Sequence, residues 1–304
     1  MSTIQNKILI FGAGVIGSTL AIKFIEAGID VTIFARSNRL KVLQENGLQY
    51  NKKNVIKTIP VKVIATLKND DIYDFIFVPV RYDQSETALL ALKDNQSKNI
   101  VTMTNNSFGF SAWLDIVGDR LLPAFPAFGG QIKDGILYTR FPPKSLASTL
   151  FGEINGSETK RTENLAKLLD AANLPYKIEK GMREFLITHS ISDIAMTGVL
   201  YADNKIVDEK TLRSKKTANK ISVTLKKYLE AVQKAGISIN PSSFKIVLKC
   251  PNWLLDFLFM IWLRTKMVKN MLLPDFASAA NRENVRLEND LLKFLNQNGV
   301  NLQE

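Results

Sequence analysis

Lys7-Ile8-Leu9-Ile10-Phe11-Gly12-Ala13-Gly14-Val15-Ile16-Gly17 is the stretch on which the fold turns. An apolar run of strand length leads straight into Gly-x-Gly-x-x-Gly, and residues 18–27 continue with a helical pattern. A glycine pattern alone says little, but one set between a strand and a helix reads as the phosphate-cradling turn of a dinucleotide-binding unit. Gly12 allows the tight turn, Gly14 lets a pyrophosphate approach the backbone, and Gly17 lets the helix close on the strand. The free N–H groups and positive dipole end of the helix then face the phosphates. The expected cofactor contacts are Gly12, Ala13, Gly14, Val15, Ile16 and Gly17.

The next strand, Val31-Thr32-Ile33-Phe34, ends in Ala35-Arg36, with Arg39 close behind. A unit selective for NAD usually places Asp or Glu there to bind the ribose 2′-hydroxyl. A guanidinium pairs instead with a 2′-phosphate. Arg36 therefore points to NADP(H), against the alternative that Arg36 and Arg39 are ordinary surface cations.

At 304 residues, 46% hydrophobic and 23% charged, the chain fits two globular domains. One histidine and one cysteine leave no set of His and Cys ligands for zinc, so no metal is expected. A Ser-His-Asp hydrolase would need His189, and no Gly-x-Ser-x-Gly elbow accompanies it. The single cysteine and a first strand beginning by Lys7 point to a cytoplasmic protein without a signal peptide.

The net charge of +11 includes a lysine-rich stretch at 205–227. It reads as a solvated helical face, or as a field drawing in an anionic cofactor and substrate. Nucleic acid is disfavoured, because no aromatic platform or recognised motif accompanies the charge. Residues 253–263 (WLLDFLFMIWL) are too short to cross a bilayer, which needs ~20 apolar residues. They read as a buried helix or a homodimer contact. Flanking Arg264 and Lys266 keep membrane-surface attachment open.

Strands at 7–11, 31–35, 59–64, 75–80 and 100–104 alternate with helices at 37–45 and 83–92. Such alternation predicts an α/β, Rossmann-type, doubly wound parallel sheet. Pro123, Pro126, Gly129 and Gly130 read as a loop, followed by strands at 136–141, 148–154 and 176–179 and a helix at 162–172. Beyond Gly181 only helices are expected, at 182–202, 208–235, 242–248, 252–268 and 276–298. The expected division is residues 1–180 for the dinucleotide and an all-helical domain, 181–304, for substrate and dimerisation.

These residues together resemble the ketopantoate reductase (2-dehydropantoate 2-reductase) family. The likeness runs from the glycine turn and Arg36 through Asp74-Phe75-Ile76-Phe77-Val78-Pro79-Val80-Arg81 and Asn105-Asn106-Ser107-Phe108-Gly109. It continues at Phe125-Pro126-Ala127-Phe128-Gly129-Gly130, Phe151-Gly152-Glu153, the helix 185–201 and Asn281-Arg282-Glu283. The resemblance implies NADPH-dependent reduction of a small anionic 2-oxo acid. It implies that Arg81 and Asn106 touch the cofactor, that Asn106 also serves catalysis, and that Glu283 orients the substrate. The residues themselves also allow a turn former at Asn106 and an exposed helix carboxylate at Glu283. The family's catalytic lysine is absent: Ile187 stands at its position. His189 is the named substitute, beside Lys180, Arg183 and Ser190, and helix packing is its other reading. A dinucleotide-binding sensor or scaffold without turnover is the alternative function.

Overall fold

The computed structural model describes residues 6–142, 147–201, 205–265, 268 and 277–302. Residues 202, 266, 267 and 276 of the expected helices lie outside them. The chain divides into two compact units. One holds residues 1–104 and 110–182, the other 105–109 and 183–304.

The first unit runs β1 (Lys7–Phe11), α1 (Val15–Glu26), β2 (Asp30–Phe34), α2 (Ser37–Asn46), β3 (Leu48–Lys52), β4 (Val55–Ile59), β5 (Lys62–Ile64) and β6 (Phe75–Val78). It continues with α3 (Tyr82–Leu90), β7 (Ile100–Met103), α4 (Ser111–Val117), β8 (Leu121–Phe125), β9 (Gly129–Lys133), β10 (Ile136–Arg140), β11 (Thr149–Phe151), α5 (Lys160–Ala171) and β12 (Tyr176–Ile178). Eight strands form one sheet in the order β12-β11-β8-β7-β6-β1-β2-β5, in which only the β8–β11 pair is antiparallel. Strands β6 and β7 are buried throughout. Their unbroken apolar runs (FIFV, IVTM) suit a parallel sheet covered on both faces. The strand order reverses at β1, with β2 on one side and β6 on the other, so the carboxyl ends of β1 and β6 flank the switch point.

Three sequence expectations need correction. The stretch 59–64 is two strands rather than one, because Pro60 separates β4 from β5. Residues 121–125 and 129–133 are strands, not loop. Pro123 lies in β8 just short of its pairing with β11, which covers Ala124 and Phe125, so the missing N–H breaks no ladder bond there. In β9, Gly130 is required by close approach: a Cβ there would sit 2.1 Å from the Tyr138 carbonyl oxygen. A second, four-stranded sheet, β4-β3-β10-β9, went unforeseen. Its β3–β4 hairpin turns on Lys53 and Asn54, both at positive φ, and so lacks the glycine that usually announces such a turn. This sheet is tied to α1 by Thr19 Oγ1 to Thr139 Oγ1 (2.8 Å) and by Tyr50 Oη donating to Glu26 (3.0 Å).

The second unit contains α6 (Met182–Leu200) from Arg183 onward. It also holds α7 (Glu209–Leu212), α8 (Lys215–Lys234), α9 (Lys245–Lys249), α10 (Asn252–Trp262) and α11 (Ala277–Gln297). The expected helix 208–235 breaks at Ser214, which caps α8 by accepting from the Thr217 N–H. Ala218, Ile221, Leu225, Leu229 and Val232 bury one stripe of α8, while Lys215, Lys216, Lys220 and Lys227 are exposed. The lysine-rich stretch is thus in part a solvated helix face.

Glu153 anchors the far edge of the large sheet. It is 5% exposed and accepts from Thr159 Oγ1 (2.5 Å) and Arg161 Nε (2.7 Å). Arg161 also donates to the carbonyls of Asp119 and Leu121 at the start of β8. Burial alone would push the Glu153 carboxyl up, but Arg161 and Thr159 outweigh it and hold its pKa below the ordinary value. A depressed folded pKa stabilises above the unfolded value, ~4.3, and that contribution is lost as pH falls through the folded value. Glu153→Gln should lower stability by about 3 kcal/mol at pH 7 in urea unfolding, with the gap from the natural chain closing below about pH 4.

Candidate functional site

The glycine turn is built by contact. A Cβ on Gly17 would lie 2.0 Å from the Gly12 carbonyl oxygen and 2.9 Å from Ile10 Cγ2, so only glycine lets α1 close on β1. Gly12 has φ +131° and its N–H donates to the Phe34 carbonyl (3.2 Å), joining the turn to the end of β2. Positions 12 and 17 also abut Val80 and Pro79, just past β6, which sets the turn at the switch point. Around Gly14 the space is open: nothing lies within 4 Å of where its Cβ would be. Gly14 is the N-cap of α1, no side chain caps it, and the first turn carries no acid. This helix start has both the room and the polarity for a pyrophosphate. Ala13, Val15 and Ile16 pack into the core, so what they offer a ligand is backbone.

The two arginines after β2 differ. Arg36 is exposed at the N-cap of α2, its guanidinium 6.0 Å from the Phe34 ring, which stacks on Phe11 at 4.3 Å. Arg39 turns inward. It donates to the carbonyls of Ala13 (3.1 Å) and Gly135 (3.1 Å) and to Ser18 Oγ (3.2 Å). It thereby clamps the glycine turn to α1 and to the β9–β10 turn. All three acceptors are neutral, and burial pulls its pKa below the usual arginine value. Arg81 caps α3 from its exit off β6 and is ion-paired with Asp83 (3.1 Å).

The second unit carries a polar cluster on α6. Asn105 Nδ2 donates to Asp193 Oδ2 (2.7 Å), and Asn105 Oδ1 meets His189 Nδ1 (3.0 Å). A carboxylate only accepts, so the amide nitrogen must face Asp193 and the amide oxygen must face the imidazole. His189 Nδ1 therefore carries a proton. Asp193 Oδ2 lies 3.6 Å from the same nitrogen. Phe185 lies against the ring at 5.7 Å.

Asn106 stands apart from this cluster. Its Oδ1 accepts from the N–H groups of Phe108 and Gly109, and its Nδ2 donates to the Gly109 carbonyl, so its amide shapes the loop. The amide that meets His189 and Asp193 is that of Asn105, one residue earlier. The Asn-Asn pair was the available signal, and only the direction of each side chain separates the two. Glu283 is half-buried on α11, next to Asn284, which accepts from Thr197 of α6 (2.7 Å). Ile187 is fully buried. Of the other substitutes, Ser190 is buried without a hydrogen-bond partner, Arg183 lies over the Phe294 ring, and Lys180 pairs with Glu158. Among the described residues, no group of three or more His, Cys, Asp or Glu side chains could hold a metal ion.

Residues 8–124 match the family model described as ketopantoate reductase PanE/ApbA. A curated 2-dehydropantoate 2-reductase from Archaeoglobus fulgidus is 27% identical over 169 residues, 56% of this chain. The match spans about half the length of that relative (54%). Among solved structures, D-mandelate dehydrogenase with NADH and anilino(oxo)acetate aligns over 97% of this chain and 99% of its own, at TM-score 0.65 and 15% identity. A 2-dehydropantoate 2-reductase from Geobacter metallireducens aligns over 96% and 99%, at TM-score 0.65 and 17% identity. At such identities the likeness concerns the fold: an α/β sheet unit followed by helices.

The open and closed glycines should separate in the laboratory. Gly17→Ala forces a clash with backbone and should cost about 1–3 kcal/mol or more in chemical unfolding. Gly14→Ala should leave unfolding within about 1 kcal/mol of the natural chain, yet weaken dinucleotide binding measured by calorimetry.

Proposed function

We propose that this chain is a cytoplasmic NADP(H)-dependent oxidoreductase that reduces a small 2-oxo acid to the 2-hydroxy acid. The observation that carries this reading is the glycine turn, closed at Gly17 and open at Gly14 over the start of α1. The first unit then holds the dinucleotide, with Arg36 at its 2′-phosphate and Arg81 nearer the rest of the cofactor. The family-model match and the names of the relatives support the reaction class.

When bound, the reduced nicotinamide supplies hydride to the substrate's carbonyl carbon. Negative charge then grows on the carbonyl oxygen and calls for a fixed donor. At the family's lysine position this chain has a buried Ile187, which offers none. The residue proposed to supply the proton is His189. Asn105 accepts from its Nδ1–H and fixes the ring's orientation, so the protonated ring donates from Nε2 and recovers a proton from solvent. Glu283 is assigned to the polar end of the substrate, and the second unit to substrate binding. A second reading, dinucleotide binding without turnover, draws on the burial of Ile187.

Nicotinamide fluorescence should show NADPH binding roughly 10- to 100-fold tighter than NADH, the worth of one charge-assisted pair. Arg36→Ala should erase most of that preference. With NADPH and a panel of 2-oxo acids, absorbance should fall for at least one substrate. His189→Gln should slow this by about 10²- to 10⁴-fold while leaving NADPH affinity unchanged. Binding without consumption across the panel would instead select the sensor or scaffold, and absence of NADPH binding would reject both readings.

A further inference from the structure

Helix α10 has two unlike faces. Leu255, Asp256 and Leu263 are buried, and Asp256 bonds to Asn219 and Ser222 of α8. Trp253, Phe257, Leu258 and Ile261 are instead 50–70% exposed. At about 100° per residue, these four fall within an arc of roughly 140°, opposite the buried side. Just before the helix, Ile246 is likewise exposed.

Along residues 245–265 the exposed charges have one sign. Lys245, Lys249 and Arg264 are exposed. Lys226 of α8 reaches Asn252 Oδ1 at the helix start (2.8 Å). The one acid between 245 and 265, Asp256, points inward. An exposed stripe of Trp, Phe, Leu and Ile flanked along the chain by cations suits a helix lying in a lipid interface. Eleven residues at 1.5 Å each give roughly 16 Å, about half a hydrocarbon core, so α10 can lie in a membrane surface but not cross it. Among the described residues no helix is long and apolar enough to span.

We propose that α10 docks this chain on an anionic lipid surface, with Trp253, Phe257, Leu258 and Ile261 entering the interface and Lys245, Lys249 and Arg264 meeting the headgroups. A second copy of the chain is the competing occupant. A two-fold contact sets the same patch against itself, and here that would bring Lys245, Lys249 and Arg264 of two copies together. The proposal is independent of the reaction proposed above.

The test is sedimentation of the full chain with vesicles of phosphatidylcholine alone or mixed with phosphatidylglycerol. Binding should require the anionic lipid, fall at least tenfold between 0.1 and 0.5 M NaCl, and shift tryptophan emission to the blue. Phe257→Glu with Ile261→Glu should abolish binding while leaving the thermal midpoint unchanged. Lys249→Ala with Arg264→Ala, which leaves the apolar face intact, should weaken it several-fold. No sedimentation with anionic vesicles overturns the proposal, as does undiminished binding by the Phe257/Ile261 variant. Light scattering that finds a dimer split to monomers by the same two changes overturns it in favour of a second copy.

Discussion

The contact between Gly17 and the Gly12 carbonyl is the constraint on which the first unit depends. With no Cβ at position 17, α1 lies against the end of β1, and its uncapped start falls at the switch point between β1 and β6. Everything stacked on α1 follows from that placement. Phe24 meets Phe77 of β6 (5.3 Å) on one side, and Thr19, Tyr50 and Glu26 tie the small sheet to the other. Arg39 completes the arrangement, holding the glycine turn, α1 and the β9–β10 turn with one guanidinium. A half-buried cation with neutral acceptors also leaves positive potential behind the turn.

The second unit is organised by buried polar links between helices. Thr197 with Asn284 joins α6 to α11, and Tyr228 with Glu288 (2.6 Å) joins α8 to α11. Burial, then Glu288, pushes the Tyr228 phenol up, so it stays a donor at any physiological pH. Ser107 Oγ bonds the Leu287 carbonyl and fastens the loop 105–109 to α11. That anchor holds Asn105 beside α6, where its amide sets which imidazole nitrogen of His189 bears hydrogen. The histidine on α6 thus has a tautomer specified by its neighbours.

Much of this was readable from residue order. The glycine spacing, the unbroken apolar strands and the Arg at the end of β2 each rest on local rules: turn sterics, two-sided burial and charge. The helical half showed in its periodicity, and the pairing of His189 with Asp193 in their spacing of four. The small sheet did not show, because its β3–β4 turn is made by Lys53 and Asn54, whose positive φ no glycine advertises. Nor did β8, where proline and glycine suggested a loop although long-range pairing sustains a strand.

Local chemistry along the chain thus dictated the sheet unit, the glycine turn and the helical remainder, since each depends on neighbours a few residues apart. Which way each side chain points was decided only by packing between distant segments. Arg36 lies out and Arg39 in; Asn105 meets His189 while Asn106 serves its own loop; Asp256 turns inward and leaves an apolar, cationic face. Sequence spacing sets where a side chain is attached, but its direction follows from the hydrogen bonds and contacts that remote residues offer it.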